Sequence, residues 1–498
     1  MKKTLLCLTA LLLSFGSFAK GNLPRTIITT DGEIDDVDTF IRMLLYTNEF
    51  HVEGLVYSSS MWHYKGDGKG TLFESEMAST KRIYGKRADL RWAGVNWIQD
   101  LLDQYAKVYP NLLLHSQSYP SPDYLRGLVK VGNIDFEGEM DQVTAGSEWI
   151  KNKLMDEKDN EEIYLQAWGG TNTIARALKS IEEENAQKPN WSAIQARISK
   201  KAIIYTILDQ DATYKKYIGV HWPSIRVFYN SNQFWCMAYP WKRDVPKPFQ
   251  RYFEGSFMGP LIHENGPLLA KYYSYGDGQV QKGDDQAIFG EHVHGDLSRV
   301  KPAGLYQKYD FISEGDTPAF LHLMDTGLDN YRNPSFGGWG GRFQQSKENP
   351  LRFEDTAEDF NPESGKMDKN FPQTRWLEAM QLDFLARAAW CVKPYEQANH
   401  APWITVKEGT RLFAKAGANV TLHVSAQDKD KNSVVQFKAW PYEEAGSGKA
   451  EVAFNQTQVK VKIPETAQKG QSYHVIVEGS DNGTPVLTRY RRVVITIL

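Results

Sequence analysis

The chain has 498 residues, 58 basic against 61 acidic side chains, and 14 Trp and 25 Tyr. A near-balanced charge with no basic patch or acidic tail argues against nucleic acid as a partner. Apart from the apolar leader, no stretch approaches about 18 uninterrupted apolar residues, so no membrane span is expected.

Residues 1–19 read MKKTLLCLTALLLSFGSFA: two lysines, an apolar stretch from Leu5 to Leu13, then small residues. This is the pattern of a secretory signal peptide cleaved after Ala19, and it predicts a periplasmic or extracellular protein. Cys7 lies inside the apolar stretch, so no lipoprotein anchor is expected. Losing Lys2 and Lys3 takes the net charge from −3 to −5. The mature cysteines are Cys236 and Cys391, and either a disulfide or two buried thiols suits them.

From residue 23 to about 230, β-rich runs alternate with helical patterns. The strands are expected at Thr26–Thr30, Val52–Ser58, Ile163–Ala167, Ala202–Ile207 and Ile225–Tyr229. Helices are expected at Asp36–Thr47, Gly146–Leu154 and Asn172–Ile181. That alternation predicts a doubly wound, mostly parallel α/β sheet with helices on both faces. Residues 231–345 are rich in Gly, Pro and aromatics, as in the wall of a site. Leu377–Cys391 is a helix that closes the α/β domain, expected over 23–395. Over 402–498 the helical period gives way to short alternating strands. Val459, Val461 and Ile463 alternate with Lys460 and Lys462, as in a half-buried antiparallel strand. This segment predicts an immunoglobulin- or cadherin-like β-sandwich, a scaffold class that often serves for packing or attachment. Asp428-Lys429-Asp430 and Asp481-Asn482-Gly483 read as turns, although Ca²⁺ loops share their composition.

Residues 25–40, RTIITTDGEIDDVDTF, hold the most chemistry. A strand ends on Asp31, a turn follows, and a helix opens on Asp35 and Asp36. Carboxylates at the C-terminal end of a strand in an open α/β sheet lie where ligands bind. Capping and the helix dipole account for one acidic residue in a first turn. They do not account for three, whereas clustered carboxylate oxygens suit a hard cation such as Ca²⁺ or Mg²⁺. Aromatics beside Gly and Pro, as in Ser60-Met61-Trp62-His63-Tyr64, Tyr239-Pro240-Trp241 and Phe336-Gly337-Gly338-Trp339, suit sugar stacking. His63, with Lys65 and Asp67 on the same sheet edge as Asp31, and Arg342 beside Trp339 are candidate substrate contacts. His263, Asp284 and Asp285 are weaker ones.

Asp31-Gly32-x-x-Asp35-Asp36 resembles the metal-binding signature of nucleoside hydrolases, entered at its second Asp. Trp168-Gly169-Gly170-Thr171-Asn172-Thr173-Ile174-Ala175 and Gly315-Asp316-Thr317-Pro318-Ala319-Phe320 resemble two later segments of that family, in the same order. With YSSSMWHYKGDGKG (57–70), EGDTPAFLHLM (314–324), GGWGGRF (337–343) and DNGTPVLTRYRR (481–492), the chain is similar over nearly its whole mature length to the secreted nucleoside-hydrolase-like family described as cellulose-binding.

The resemblance implies a Ca²⁺ held by Asp31, Asp36, Asp316 and the Thr171 carbonyl, with Asp35 on a sugar hydroxyl and Asp31 as general base. Trp62, His63, Asn172, Trp339 and Arg342 complete the expected substrate contacts. The implied activity is hydrolysis of an N-glycosidic or glycosidic bond in a nucleoside-like or small carbohydrate substrate, with plant polysaccharide as a further partner. The alternative is a non-catalytic carbohydrate-binding protein on the same scaffold. The chain departs from the nucleoside hydrolase pattern at Thr29, Gly32-Glu33 and Gly315. Asn230 and Asn232 are its weak counterparts of the segment that grips the ribose 5′ end.

Overall fold

In this computed structural model, residues 23–283 and 306–498 are described. The expected leader, Asp284 and Asp285 lie outside them. The chain runs β1 (Arg25–Thr30), α1 (Ile34–Leu44), β2 (His51–Tyr57), α2 (Trp97–His115), β3 (Val129–Val131), α3 (Ala145–Met155) and β4 (Ile163–Ala167). It continues through α4 (Asn172–Asn185), α5 (Trp191–Lys201), β5 (Ala202–Ile207) and β6 (Arg226–Asn230). After a loop-rich stretch come α6 (Thr317–Leu321), β7 (Gln344–Gln345), β8 (Arg352–Glu354) and α7 (Leu377–Trp390). The eight strands form one sheet in the order β3-β2-β1-β4-β5-β6-β8-β7, parallel throughout except for β7.

Strand pleating explains how one run of apolar residues serves two layers. Successive side chains point to opposite faces. Ile28, Tyr164 and Ile203 therefore join the core beneath α1, α2 and α7. Their neighbours Ile27, Leu165 and Ile204 join the separate core beneath α3, α4 and α5. The chain extends the sheet one way from β1 through β2 to β3, then returns to β4 on the other side and extends it through β5 and β6. The order thus reverses between β1 and β4. At such a switch point the loops leaving the two strands diverge and open a crevice.

The C-terminal domain packs two four-stranded sheets. One has the order β9 (Trp403–Val406), β11 (Asn419–Gln427), β14 (Gln458–Lys462), β13 (Glu451–Asn455). The other has β10 (Arg411–Ala414), β16 (Thr488–Ile497), β15 (Ser472–Ser480), β12 (Gln436–Pro441). All pairings are antiparallel except β10 with β16. Val459, Val461 and Ile463 are buried while Lys460 and Lys462 face water, as the alternation requires. Asp428 accepts from the Asp430 N–H, and Asp481 from the Gly483 and Leu487 N–H groups, so both acidic segments are turns held by their own side chains.

The two domains share an interface with buried, paired polar groups. Asp383 on α7 binds Arg387 at 2.9 Å and Arg489 of the sandwich at 2.7 Å. Arg492, fully buried, donates to the carbonyls of Leu328, Phe336 and Gly337. Tyr442 donates to Asp359 at 2.6 Å. Cys236 and Cys391 are both buried free thiols, which resolves the open question in favour of no disulfide. No helix among the described residues is long and apolar enough to cross a membrane.

Candidate metal and sugar site

Asp31 directly follows β1, and the β4 loop runs alongside it. The Trp168 N–H donates to the Thr29 carbonyl, and the Gly170 N–H to that of Ser59. A β-carbon at Gly169 would stand 2.8 Å from the Asp31 carboxyl carbon, so only glycine lets the chain pass this close. Helix α1 then presents Asp35 and Asp36 in its first turn. Asp36 accepts from the Thr30 hydroxyl, and Asp35 from the Ser313 hydroxyl at 3.3 Å.

Asp316, remote in sequence, caps α6 with its side chain free of any cap bond. One carboxylate oxygen from each of Asp35, Asp36 and Asp316 lies within 4.8 Å of the others. Position 315 is again dictated by approach: a β-carbon there would lie 2.7 Å from Asp35 Oδ2. Gly315 therefore gives room to the cluster.

Asp31 stands slightly apart, with Oδ2 3.5 Å from His63 Nδ1, both residues 2 % exposed. Neither of those two atoms has a hydrogen-bond partner. A short turn holds His63, whose N–H donates to Ser60 Oγ.

The carboxylates part ways electrostatically. Burial, then the neighbouring negative charges of Glu33 and Asp31, pushes Asp35 well above the ordinary carboxylate range. Burial, Asp31, Asp316 and Asp35 do the same to Asp36. Burial, Asp35 and Asp31 raise Asp316. At Asp31 burial also works upward, but His63 and then Ser60 outweigh it and bring the group below its ordinary value. Three mutually repelling oxygen donors beside an orphaned Asp31 oxygen fit a hard divalent cation, which replaces repulsion with coordination.

A cavity of about 610 Å³ opens above this floor, and Asp35, Asp36 and Asp316 line it. Its walls include Trp62, Trp168, Phe234, Trp235, Tyr239 and Tyr306, with Gln210 and Arg243 as polar contributions. Gln210 sits on the loop after β5, where Leu208 and Ala212 take positive φ of 62° and 59°. Non-glycine residues held in that region cluster at functional sites. Asp31 is not among the residues that line the cavity, although its charge acts on the three that do.

Several expected contacts belong elsewhere. Trp339 is fully buried and Arg489 packs on its ring, so it cannot stack a sugar. Arg342 pairs with Asp359 at 2.7 Å and donates to the Glu358 and Glu444 carbonyls, which makes it part of the domain interface. Asn172 spends its amide on Ser59 Oγ and the Asn133 carbonyl. Thr171 does not line the cavity; its carbonyl accepts the Ala175 N–H and its hydroxyl donates to Asp211. Asn230 and Asn232 bind Tyr205 and Asp355, and His263 packs on Tyr309, all away from the lining. Trp62 does line the cavity, His63 backs Asp31, and Tyr239 lines the cavity although Trp241 is core. Phe234, Trp235, Tyr306 and Gln210 also line it and carry no motif in the sequence; Trp168 lines it too, known there only as part of a family segment. Trp168 was the one within reach, since it opens the same Gly-Gly segment that supports Asp31.

The model of the family described as cellulose-binding Sde182, nucleoside hydrolase-like domain, matches residues 25–343. That of the cellulose-binding protein Sde0182 C-terminal domain matches residues 419–497. Among solved structures, a nucleoside hydrolase-related hypothetical protein from Saccharophagus degradans, associated with carbohydrate metabolism, shares the fold. It has a TM-score of 0.68 at 24% identity, over 96% of this chain and 100% of that one. A plant nucleoside hydrolase gives a TM-score of 0.29 at 12% identity over 66% of this chain and 86% of its own, too low to carry an argument. The type III effector XopQ, complexed with adenosine diphosphate ribose, gives 0.35 at 11% identity over 75% and 96%, which is too low as well. No curated protein sequence matches the chain. The match across most of the α/β domain, continued by the sandwich, places this chain in the cellulose-binding Sde182 nucleoside hydrolase-like family.

Proposed function

We propose that the protein is an exported, Ca²⁺-dependent hydrolase of an N-glycosidic or glycosidic bond in a nucleoside-like or small carbohydrate substrate. The convergence of Asp35, Asp36 and Asp316 at the floor of an aromatic-walled cavity carries this reading. Asp36, Asp316 and Asp35 would hold the cation, whose positive charge and preference for oxygen suit it to orient a sugar diol and to acidify water. Asp31, kept ionised beside His63 while its neighbours are raised, is the carboxylate equipped to take a proton from the attacking water. The ionised Asp31 also stabilises positive charge that develops at the anomeric carbon as the leaving group departs. Trp62 and Trp235 offer apolar faces on which a sugar ring can stack.

The test has two readouts. Calorimetry with CaCl₂ should show one site in the wild type, weakened in Asp316→Asn. Asp31→Ala should keep the fold and abolish release of reducing sugar. Turnover retained in Asp31→Ala removes the assigned base.

A second reading is non-catalytic carbohydrate binding, favoured by the aromatic walls and the family's description as cellulose-binding. Pull-down on cellulose and xylan, combined with turnover assays on nucleosides and glycosides, separates the two: retention without turnover selects binding.

A further inference from the structure

Three side chains from distant parts of the chain meet where the domains join. His115 ends α2, His400 lies in the connector between α7 and β9, and Asp430 lies in the turn after β11. His115 Nε2 is 2.9 Å from the Lys393 carbonyl, and its Nδ1 is 2.9 Å from His400 Nε2. His400 Nδ1 is 2.7 Å from Asp430 Oδ1, and the His400 N–H donates to Asp430 Oδ2 at 2.7 Å. Both rings are nearly inaccessible, at 7 % and 5 % exposure.

Counting protons along this array leads to a definite state. A carbonyl oxygen only accepts, so His115 Nε2 carries a hydrogen. A carboxylate only accepts, so His400 Nδ1 carries one as well. The contact between the two rings needs a third. Two neutral imidazoles supply only two hydrogens, so the fully bonded array contains one extra proton and one positive charge. His400 is the ring built to bear it, because it faces Asp430, while both rings lie against Tyr395 and Trp390. Burial, the largest influence, and the neighbouring His400 keep His115 below the ordinary histidine range even though the Lys393 carbonyl, Asp430 and Glu396 work the other way, which leaves it the neutral partner. Nearby charges are Asp428, which acts on Tyr395, and Asp481, which accepts from Asn399 next to His400.

We infer that His115, His400 and Asp430 form a proton-held clasp between the α/β domain and the β-sandwich, closed while the pair of rings carries one extra proton and loosened when that proton leaves. Loss of the proton turns one of the bonds into two facing lone pairs inside a buried junction. The bond between the two rings exists only while the extra proton is bound, so its contribution is lost as pH rises, whereas the neutral His115 works against the fold at acid pH. The connector at 394–402 is then held less firmly, although Asp383 with Arg489 and the bonds of Arg492 still dock the sandwich.

The discriminating variant is Asp430→Asn in the full-length protein. The Asn oxygen can accept the His400 N–H while its amide donates to His400 Nδ1, which satisfies the array with two neutral rings. Thermal midpoints of wild type and variant should be compared between about pH 5.5 and about pH 8.5. Relative to the variant, the wild type should lose a few degrees as pH rises. A difference that stays constant with pH overturns the clasp. Should the variant not fold, NMR of ring-labelled histidine in the wild type decides. A doubly protonated ring at about pH 7.5, absent in His400→Phe, supports it; a spectrum without such a ring overturns it.

Discussion

Gly169 and Asp31 touch so closely that a β-carbon on residue 169 would lie 2.8 Å from the Asp31 carboxyl carbon. This contact joins β1 to β4 at the switch point, so the position of the proposed base depends on a residue without a side chain. Gly169→Ala must shift either the strand end or the carboxylate, at a cost of about 1–3 kcal/mol. Urea unfolding should show that loss, and calcium calorimetry should show altered binding through displacement of Asp31, whose charge acts on Asp35, Asp36 and Asp316. A variant with wild-type stability and calcium affinity would show that the loop relaxes without cost.

The acidic floor should make calcium binding depend on pH. Asp35, Asp36 and Asp316 have raised values in the folded protein, first through burial and then through the negative charges around them, Asp31 among them in each case. Groups of this kind leave stability intact below the unfolded carboxylate value of about 4 and erode it as pH rises through their folded values. Without metal, stability should therefore decline from acid towards neutral pH. Calcium competes with those protons, so the rise in thermal midpoint on adding CaCl₂ should be larger at about pH 8 than at about pH 5. At 100 times the dissociation constant the gain is about 2.7 kcal/mol. EDTA should reverse it, and Asp316→Asn should weaken binding ~10-fold or more. Equal shifts at the two pH values would contradict the coupling.

The domain interface predicts the opposite acid response. Asp383 is buried, which alone would raise it, but Arg489 and Arg387 bring it down to about 2. A lowered carboxylate contributes stability above the unfolded value of about 4 and loses it as pH falls towards the folded value. Asp383→Asn leaves two arginines facing a neutral amide in a closed interface and should cost about 3–5 kcal/mol near neutral pH. The deficit should shrink on acidification, which urea midpoints measured down to about pH 3 would reveal. A deficit independent of pH would mean that packing, and not charge, holds this point.

Much of this arrangement was legible in the sequence because local chemistry and tertiary role agreed. β4 and β5 have the expected boundaries, since uninterrupted apolar runs are what buried parallel strands require. Asp35 and Asp36 could be placed in a first helical turn from their spacing after Thr30, and Asp316 from its resemblance to a late family segment. β3, of three residues, and β8 escaped notice because such short runs carry no period. The long α2 escaped because Pro110 interrupts its pattern. The aromatic loops were the hardest to assign. A Trp flanked by glycines looks the same whether its ring faces a cavity or a neighbouring domain, and only the tertiary contact of Trp339 with Arg489 settles the matter.

Trp62 and Trp339 therefore offer a direct contrast. Trp62 is half-buried, packs edge-on to Tyr84 at 6.4 Å and lines the cavity. Removing its ring should leave the unfolding midpoint nearly unchanged and reduce saccharide retention, by about 1–3 kcal/mol if stacking on it resembles aromatic stacking elsewhere. Trp339 sits at 0 % exposure beneath Arg489. Trp339→Ala should cost about 3–5 kcal/mol by opening a cavity at the domain junction, while a folded remainder keeps its sugar affinity. Affinity electrophoresis on soluble glucans, paired with urea denaturation, measures both quantities for both variants. If Trp339→Ala weakened binding without loss of stability, its ring would have to reach ligand, and the interface described for residues 337–343 would be wrong.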